Sequence, residues 1–508
     1  MEKMNLGKLA KVCGGVLVLG AACDVEDSGK MVSEVSAGDR KTEAEAIVKV
    51  SENTEITGAV LDSRQVTAGN LFFATVGERV DGHRFIGSVY EKGASCVVTQ
   101  KTPRQVEAEH GIPGDSWGAY ILVQDTLQAL KDIAEYYRST LKIPIVGITG
   151  SVGKTSTKEY IAGVLAQKYQ VLKTEGNFNN EIGVPLTLLR IRKEHEAAVV
   201  EMGISDFGEM HRLSKMVRPT VCVITNIGQC HLENLGTRDG ILKAKSEIFD
   251  FMQEDGEVCL NGDDDKLASV GQVKGKPVHY FGLGDNPNEE VVAMDIVSKG
   301  LFGSEAQLCL EGEKALPITV TQPGIHMVAN AAAAACVGRI LGLNREQITE
   351  GIRNVQPVSG RSNLISLPEY TLIDDCYNAN PVSMRAAIDL LAMADTKKVA
   401  ILGDMFELGA DSDIMHEQTG EYAALAGLDC IICIGENAKH LYQGALRQSR
   451  KMIQAGCITT KIYHFDTREA FGDALEEKKK TYLESGSTIL IKASHGMGFS
   501  WIVEKLQK

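Results

Sequence analysis

The run IPIVGITGSVGKTSTKEY, Ile143 to Tyr160, constrains this chain more than any other segment. It reads as an apolar strand, a glycine-rich turn and a helix. In that order the N–H groups of the turn and of the helix N-terminus converge on one anion. Lys154 adds a positive charge, and the Thr155 hydroxyl can reach a Mg²⁺ ion bound to the same phosphates. The candidate nucleoside-triphosphate site is therefore Thr149, Gly150, Ser151, Val152, Gly153, Lys154, Thr155 and Ser156. The spacing is unusual, because Ile148 stands five residues before Gly153 where the general phosphate-loop pattern has glycine.

Buried strands that end in polar residues follow the loop. Ala197 to Val200 ends in Glu201, Val221 to Thr225 in Asn226, and Val258 to Leu260 in Asn261. Uniformly apolar strands alternating with helices predict a parallel α/β sheet, with ligands at the carboxyl ends of its strands. The pattern restarts after Pro357: Leu372-Ile373, Val399 to Leu402, Ile431 to Ile434 and Ile489 to Ile491. Upstream, short strands are expected at 59–61, 71–73 and 96–98, and a helix from Thr126 to Leu141. A chain of 508 residues holds several domains. The reading is α/β with three of them, at 1–124, 125–357 and 358–508. The polar segment 24–52 is expected to be a solvated insertion within the first.

A formal net charge of −14 argues against nucleic acid as the main partner, since no basic stripe is left to follow a phosphate backbone. The twelve cysteines are scattered through apolar runs, as buried residues of a reducing compartment would be. Cys430 and Cys433 form a CxxC pair, but on a strand they point to opposite faces and make a poor metal or redox site. The stretch from Val12 to Cys23 faintly resembles a signal peptide. It is short, broken by Gly14-Gly15, and equally explained by a helix over 6–13 and a short strand. No run is long enough to span a membrane. The expected location is the cytoplasm, without membrane insertion.

Three residues downstream of the loop are candidates for chemistry. Glu201 closes a strand, where a carboxylate can hold Mg²⁺ beside the phosphates, or merely face solvent. His231 lies in a loop after another strand end and is unremarkable by itself. Lys245 is read near the start of a helix, AKSEIFDFM, where a lysine is ordinarily solvated.

Taken together, the ordered segments TGSVGKTSTKE, GNFNNEIGVPLTLL (176–189), VVEMG and NIGQCHLENLG resemble the Mur ligase family, which builds the peptide stem of bacterial cell-wall precursors. The resemblance continues through PGIHMVANAAAA (323–334), Gly360-Arg361, IDDCYNANPVSM (373–384), ILGDMFELG (401–409) and IKASHGM (491–497). LDSRQVTAGNLFFATVGERVDGHRFI (61–86) is similar to the family's uridine-binding first domain. The implied architecture is a uridine-nucleotide-binding α/β domain, a central phosphate-loop ATPase-type domain and a C-terminal Rossmann-like domain.

The resemblance implies an ATP-dependent ligase that activates a carboxylate as an acyl phosphate and joins it to an amine. Within the family the chain looks like the branch that adds D-alanyl-D-alanine to UDP-N-acetylmuramoyl-tripeptide, and it is expected to act as a monomer. The sister branch, which adds the third, diamino-acid residue, is the alternative; its DNPR-like motif is absent from GDMFELGADSDIMH.

By the same resemblance Lys154 contacts the outer phosphates, and Thr155, Glu201, His231 and Lys245 serve two Mg²⁺ ions, Lys245 as a carbamate. His326 and Asn330, at the start of an alanine-rich helix, border the adenine; the plainer alternative is a helix entry with a cap-like Asn. Arg361, Asp375, Asn378 and Asn380 close over ATP from the third domain, with Pro381 opening a helix. Ser63 and Arg64 meet the uridine nucleotide, and Asn177, Asn179 and Asn180 meet the muramoyl-peptide part, although an Asn-rich stretch also suits a plain turn. One departure stands out: the family's C-terminal KGSR reads Lys492-Ala493-Ser494-His495 here, without the fixed guanidinium charge.

Overall fold

The structure, a computed structural model, describes residues 4–20, 50–77, 80–284, 286–310, 312–455 and 460–508. The expected insertion at 24–52 lies outside these except for 50–52. Two compact units are formed. The first holds 1–145, 172–200 and 212–218, and the second 146–171, 201–211 and 219–508.

In the first unit, strands Gly58–Val60, Asn70–Phe73, Cys96–Thr99 and Tyr120–Leu122 lie side by side in parallel. Val16–Val18 joins the edge antiparallel to Tyr120–Leu122. The apolar N-terminal stretch is thus the helix Leu6–Val12 and an edge strand as far as it is described. Phe72, Val97, Ile86, Val89 and Trp117 fill the core beneath this sheet. The helix Thr126–Thr140 starts where Asp125 accepts the N–H groups of Leu127 and Gln128 at 2.7 and 3.0 Å. Such an acidic cap satisfies donors that the first turn leaves unpaired. Arg138 of this helix is buried and donates to the carbonyls of Val217, Arg218 and Leu141, three neutral acceptors in place of a counter-ion.

The second unit contains two large sheets and a two-stranded one, Gln272–Val273 with Lys276–Pro277. One runs in the order Leu316–Val320, Ser304–Leu310, Glu289–Ser298, His279–Gly282, Glu257–Asn261, Val221–Ile224, Ile145–Thr149. The strands from Glu289–Ser298 to Ile145–Thr149 are mutually parallel, as expected for a βα framework. The other runs Asn363–Ser366, Tyr370–Asp374, Ser487–Lys492, Lys398–Gly403, Cys430–Ile434, Lys461–Phe465, parallel except for its first strand. Helices cover both of its faces. Cys433 packs in one core with Leu402 and Ile388, and Cys430 in the other with Ile489 and Phe471. The CxxC pair is therefore split between two apolar layers, as the strand period requires.

Two local expectations are corrected. Lys245 stands in the last turn of the helix Arg238–Ser246, not near its start, and it is fully buried rather than solvated. The alanine-rich helix begins at Ile325, so Asn330 sits in its second turn and does not cap it.

Candidate active site

The strand end at 225–226 supports the phosphate loop at Ser151 and Val152. Strand Ile145–Thr149 is wholly buried and delivers the chain to Gly150 at φ 149°. A Cβ at Gly150 would lie 1.9 Å from Thr225 Oγ1, so no other residue fits without moving that strand end. Gly153 takes φ 84° and begins the helix Lys154–Leu165. The strand end beside it holds the loop in shape. Asn226 accepts the Val152 N–H through Oδ1 at 2.9 Å and returns its amide to the Val152 carbonyl, also at 2.9 Å. Thr225 Oγ1 donates to the same carbonyl at 2.7 Å. Ser151 Oγ accepts from the Gly228 N–H at 2.9 Å, and the Cys230 thiol approaches it at 3.1 Å.

Lys154 Nζ is folded back over the loop and donates to the Gly150 carbonyl at 2.7 Å. Burial pushes its pKa down, and the charge of Glu201 opposes that shift. Glu201 is buried at the end of Ala197–Glu201; the next residue, Met202, donates its N–H to Ile148 O at 2.8 Å, which sets the carboxylate beside the loop strand. Lys158 Nζ, itself buried, lies 3.8 Å from Glu201 Oε2. Sequence reading passed over Lys158, although it follows Lys154 at the helical spacing of four.

His231 adopts φ 49°, the left-handed region, at the head of the short helix Leu232–Leu235. Its Nδ1 lies 2.6 Å from Oε2 of Glu407, another non-glycine residue with positive φ, 61°. Two strained residues facing each other mark a place where contacts override local backbone preference. Among the described residues Lys245 Nζ has no hydrogen-bond partner. Burial brings its pKa down from 10.5 to about 8.

The C-terminal sheet adds a second set of groups. Arg361 Nη2 donates to Thr155 Oγ1 at 3.1 Å, and its guanidinium carbon lies 3.7 Å from the centre of the Tyr377 ring. The ring of His495, the departure from KGSR, lies 5.3 Å from Tyr377. Asp375 is bound at both oxygens: Ser362 N–H donates to Oδ1 at 2.9 Å, and Lys492 Nζ stands 2.6 Å from Oδ2. Lys492 also donates to the Asn378 carbonyl at 2.9 Å. His326 feels both Asp375 and Lys492, while burial pushes its pKa down.

Other expected residues serve the framework. Asn330 Oδ1 accepts from Thr157 Oγ1 at 2.9 Å and so ties the alanine-rich helix to the phosphate-loop helix. Asn380 caps the helix Pro381–Ala392 in a reciprocal box with Ser383, Oδ1 accepting the Ser383 N–H at 2.9 Å. Asn378 Oδ1 accepts the N–H of Ala379 at 2.9 Å. In the first unit, Arg64 is exposed and forks onto Asp62, with Nη2 to Oδ2 at 2.7 Å. The Ser63 carbonyl accepts from Lys92 Nζ at 2.7 Å. Asn180 Oδ1 accepts the N–H groups of Gly183 and Ile182 at 2.9 and 3.1 Å, which starts the helix Gly183–Leu189, while Asn177 is exposed and Asn179 half-buried.

Comparison with known proteins gives the same outline. The Mur ligase middle domain matches residues 148–338, the Mur ligase glutamate ligase domain 360–495, and the Mur ligase family catalytic domain 55–138. The UDP-N-acetylmuramoyl-tripeptide–D-alanyl-D-alanine ligase of Bacillus subtilis is 34% identical over 90% of this chain and 94% of its own length. The chain belongs to the Mur ligase family.

Solved Mur ligases show the same architecture. A crystal structure of MurF from Acinetobacter baumannii has a TM-score of 0.76 and 32% identity, covering 88% of this chain and 93% of its own. The MurF ligase from Thermotoga maritima in complex with ADP has a TM-score of 0.73 and 28% identity over 89% and 97%. The three-domain α/β organisation of these Mur ligases holds here as well.

Proposed function

We propose that this chain is the Mur ligase that joins D-alanyl-D-alanine to UDP-N-acetylmuramoyl-tripeptide at the expense of ATP in peptidoglycan synthesis. The observation that carries this reading is the Arg361–Thr155 contact: a phosphate loop of the family's spacing meets an arginine from the C-terminal sheet at the hydroxyl that faces the phosphates. The 34% identity to the Bacillus subtilis enzyme over nearly all of both chains supports the substrate pair.

Amide formation from a free carboxylate is uphill in water, so the tripeptide carboxylate must first exchange a poor leaving group for phosphate. Its oxygen attacks the γ-phosphorus of ATP and ADP leaves; the dipeptide amine then attacks the acyl carbon, loses a proton and expels phosphate. Such steps need positioning and cations more than covalent help. In this reading Lys154 turns from the loop carbonyls to the outer phosphates, and Arg361 holds charge on the same face. Asn226 and Thr225 keep the loop N–H groups aimed at the anion. Asp375 and His326 stand at the nucleoside end with Asn330, Asn378 and Asn380 nearby in sequence; Ser63, Arg64 and the 177–180 turn serve the uridine substrate.

Thr155, Glu201, His231 and Lys245 are a fitting donor set for Mg²⁺. The buried, unpartnered Lys245 Nζ is the decisive feature, since an amine with a pKa near 8 can react with carbon dioxide and become an anion. The ions, when bound, would neutralise charge on the transferring phosphoryl group. The domain limits 1–124, 125–357 and 358–508, a monomeric state, a cytoplasmic location and the lack of a nucleic-acid partner belong to the same proposal. Among the described residues no helix is long and apolar enough to cross a membrane.

The test is phosphate release from ATP and Mg²⁺ with one substrate omitted at a time. Release should require both the tripeptide nucleotide and D-alanyl-D-alanine. Release with a free diamino acid and the dipeptide nucleotide would transfer the chain to the sister branch.

A further inference from the structure

His416 is a fully buried imidazole to which the reaction above gives no task. Both of its ring nitrogens are used. The Met405 N–H donates to Nε2 at 2.9 Å. Nδ1 stands 2.8 Å from the carbonyl oxygen of Ser412, which can only accept, so Nδ1 carries the proton. The ring is therefore the neutral Nδ1–H tautomer. Burial holds its pKa below the ordinary value, against the nearby charges of Asp404 and Asp413 and with that of His440.

The two bonds fall at the two ends of one loop. Strand Lys398–Gly403 leads into it, and the helix Ser412–Leu425, which carries His416, leads out. Near the middle of this loop Glu407 is held at φ 61° with its carboxylate against His231 Nδ1. The same loop walls a cavity of about 410 Å³ together with Glu233 and Asn437. A left-handed glutamate with an exposed side chain does not hold that conformation unaided. It needs the loop ends fixed: the Phe406 N–H donates to Ser494 Oγ at 2.9 Å on one side, and His416 joins Met405 to the first residue of the following helix.

We propose that His416 is a positioning residue for the ligation: by clamping Met405 to Ser412 it holds Glu407 on Nδ1 of His231 and so orients that imidazole toward the reacting groups. The proposal rests on His231 serving the site described above. A carboxylate held in ion-pair contact with one ring nitrogen restricts where the imidazole can turn, and loss of such an outer-shell partner of a metal-binding histidine typically lowers metal affinity or activity by a factor of about 10 to 100.

The test is a double-mutant cycle with His416→Leu and Glu407→Ala, read as kcat and as KM for each substrate. Each single variant should lower kcat about 10-fold with KM for ATP unchanged, and the double variant should fall no further than either. His416→Gln, whose amide can accept from Met405 and donate to Ser412, should recover kcat to within about threefold of wild type. Glu-C protease gives a readout independent of turnover. Cleavage after Glu407, mapped by mass spectrometry, should accelerate in His416→Leu and stay at the wild-type rate in His416→Gln. Should His416→Leu fail to fold, His416→Asn, too short to reach both partners, takes its place in the same cycle. Additive losses in the double variant, wild-type kcat in His416→Leu, or a glutamine variant as impaired as leucine would overturn the proposal. A wild-type protein without dipeptide-dependent phosphate release would instead overturn the assigned reaction, while the cleavage comparison still tests the clamp.

Discussion

Arg361 donates from Nη2 to Thr155 Oγ1 at 3.1 Å while its guanidinium carbon lies 3.7 Å from the centre of the Tyr377 ring. The ring supplies a flat support and a cation–π attraction, and the fork then reaches the phosphate-loop hydroxyl in a fixed direction. Lysine can sit over the ring as a point charge but lacks the planar fork that reaches the hydroxyl in a fixed direction. Arg361→Lys should lower kcat/KM for ATP by a factor of about 100 without a comparable loss of stability. Steady-state kinetics beside a thermal melt checks this; near-normal kcat/KM would remove Arg361 from the phosphate site.

Lys245 gives a prediction in which stability and activity move in opposite directions. Its folded pKa of about 8 lies below the unfolded 10.5. The unfolded chain therefore holds the proton more tightly, and stability rises with pH between those values; below pH 8 the burial penalty is fully present. Lys245→Met should melt higher than wild type at pH 7, with the advantage shrinking from pH 8 toward 10.5. Activity should fall by a factor of about 100, and Lys245→Ala should regain part of it with added short carboxylates. A fully active alanine variant refutes the role.

Asp375 and Lys492 form a buried ion pair, Lys492 being 2% exposed. Removing one partner strands the other charge in a low-dielectric setting. Asp375→Ala should destabilise the C-terminal sheet by about 3–5 kcal/mol, whereas Asp375→Leu with Lys492→Met should recover much of that loss. Urea denaturation followed by far-UV circular dichroism measures both.

Asn380 distinguishes a cap from a ligand. Asn380→Ser keeps an oxygen for the Ser383 N–H and should retain stability, while Asn380→Ala should cost about 1 kcal/mol. If the side chain also contacts nucleotide, KM for ATP rises in both variants. An unchanged KM in the serine variant confines Asn380 to the helix terminus.

Much of this architecture was legible because uniform apolar runs such as 145–149, 197–200, 399–402 and 431–434 admit few conformations besides buried parallel strands. The loop between Thr149 and Ser156 was legible for a related reason: only glycine tolerates φ 149° at 150 and φ 84° at 153. The burial of Lys245 and its place in the last turn were not legible, since AKSEIFDFM carries no mark of which helical face is covered. At Asn380 one sequence pattern carries two signals, a family position and, before Pro381, a helix start, and no local cue separates them.

The sequence by itself determined the class of fold, the phosphate loop and the family, because strand period, glycine placement and motif order are properties of adjacent residues. Only the tertiary structure decided that Arg361 reaches Thr155, that Glu407 faces His231, and that His416 clamps the loop between them. Those pairs are separated by 206, 176 and, for the clamp, 11 and 4 residues. The step from Ser412 to His416 is a single helical turn, but the other contacts depend on distance in space, which the packing of sheets and helices sets and no local pattern records.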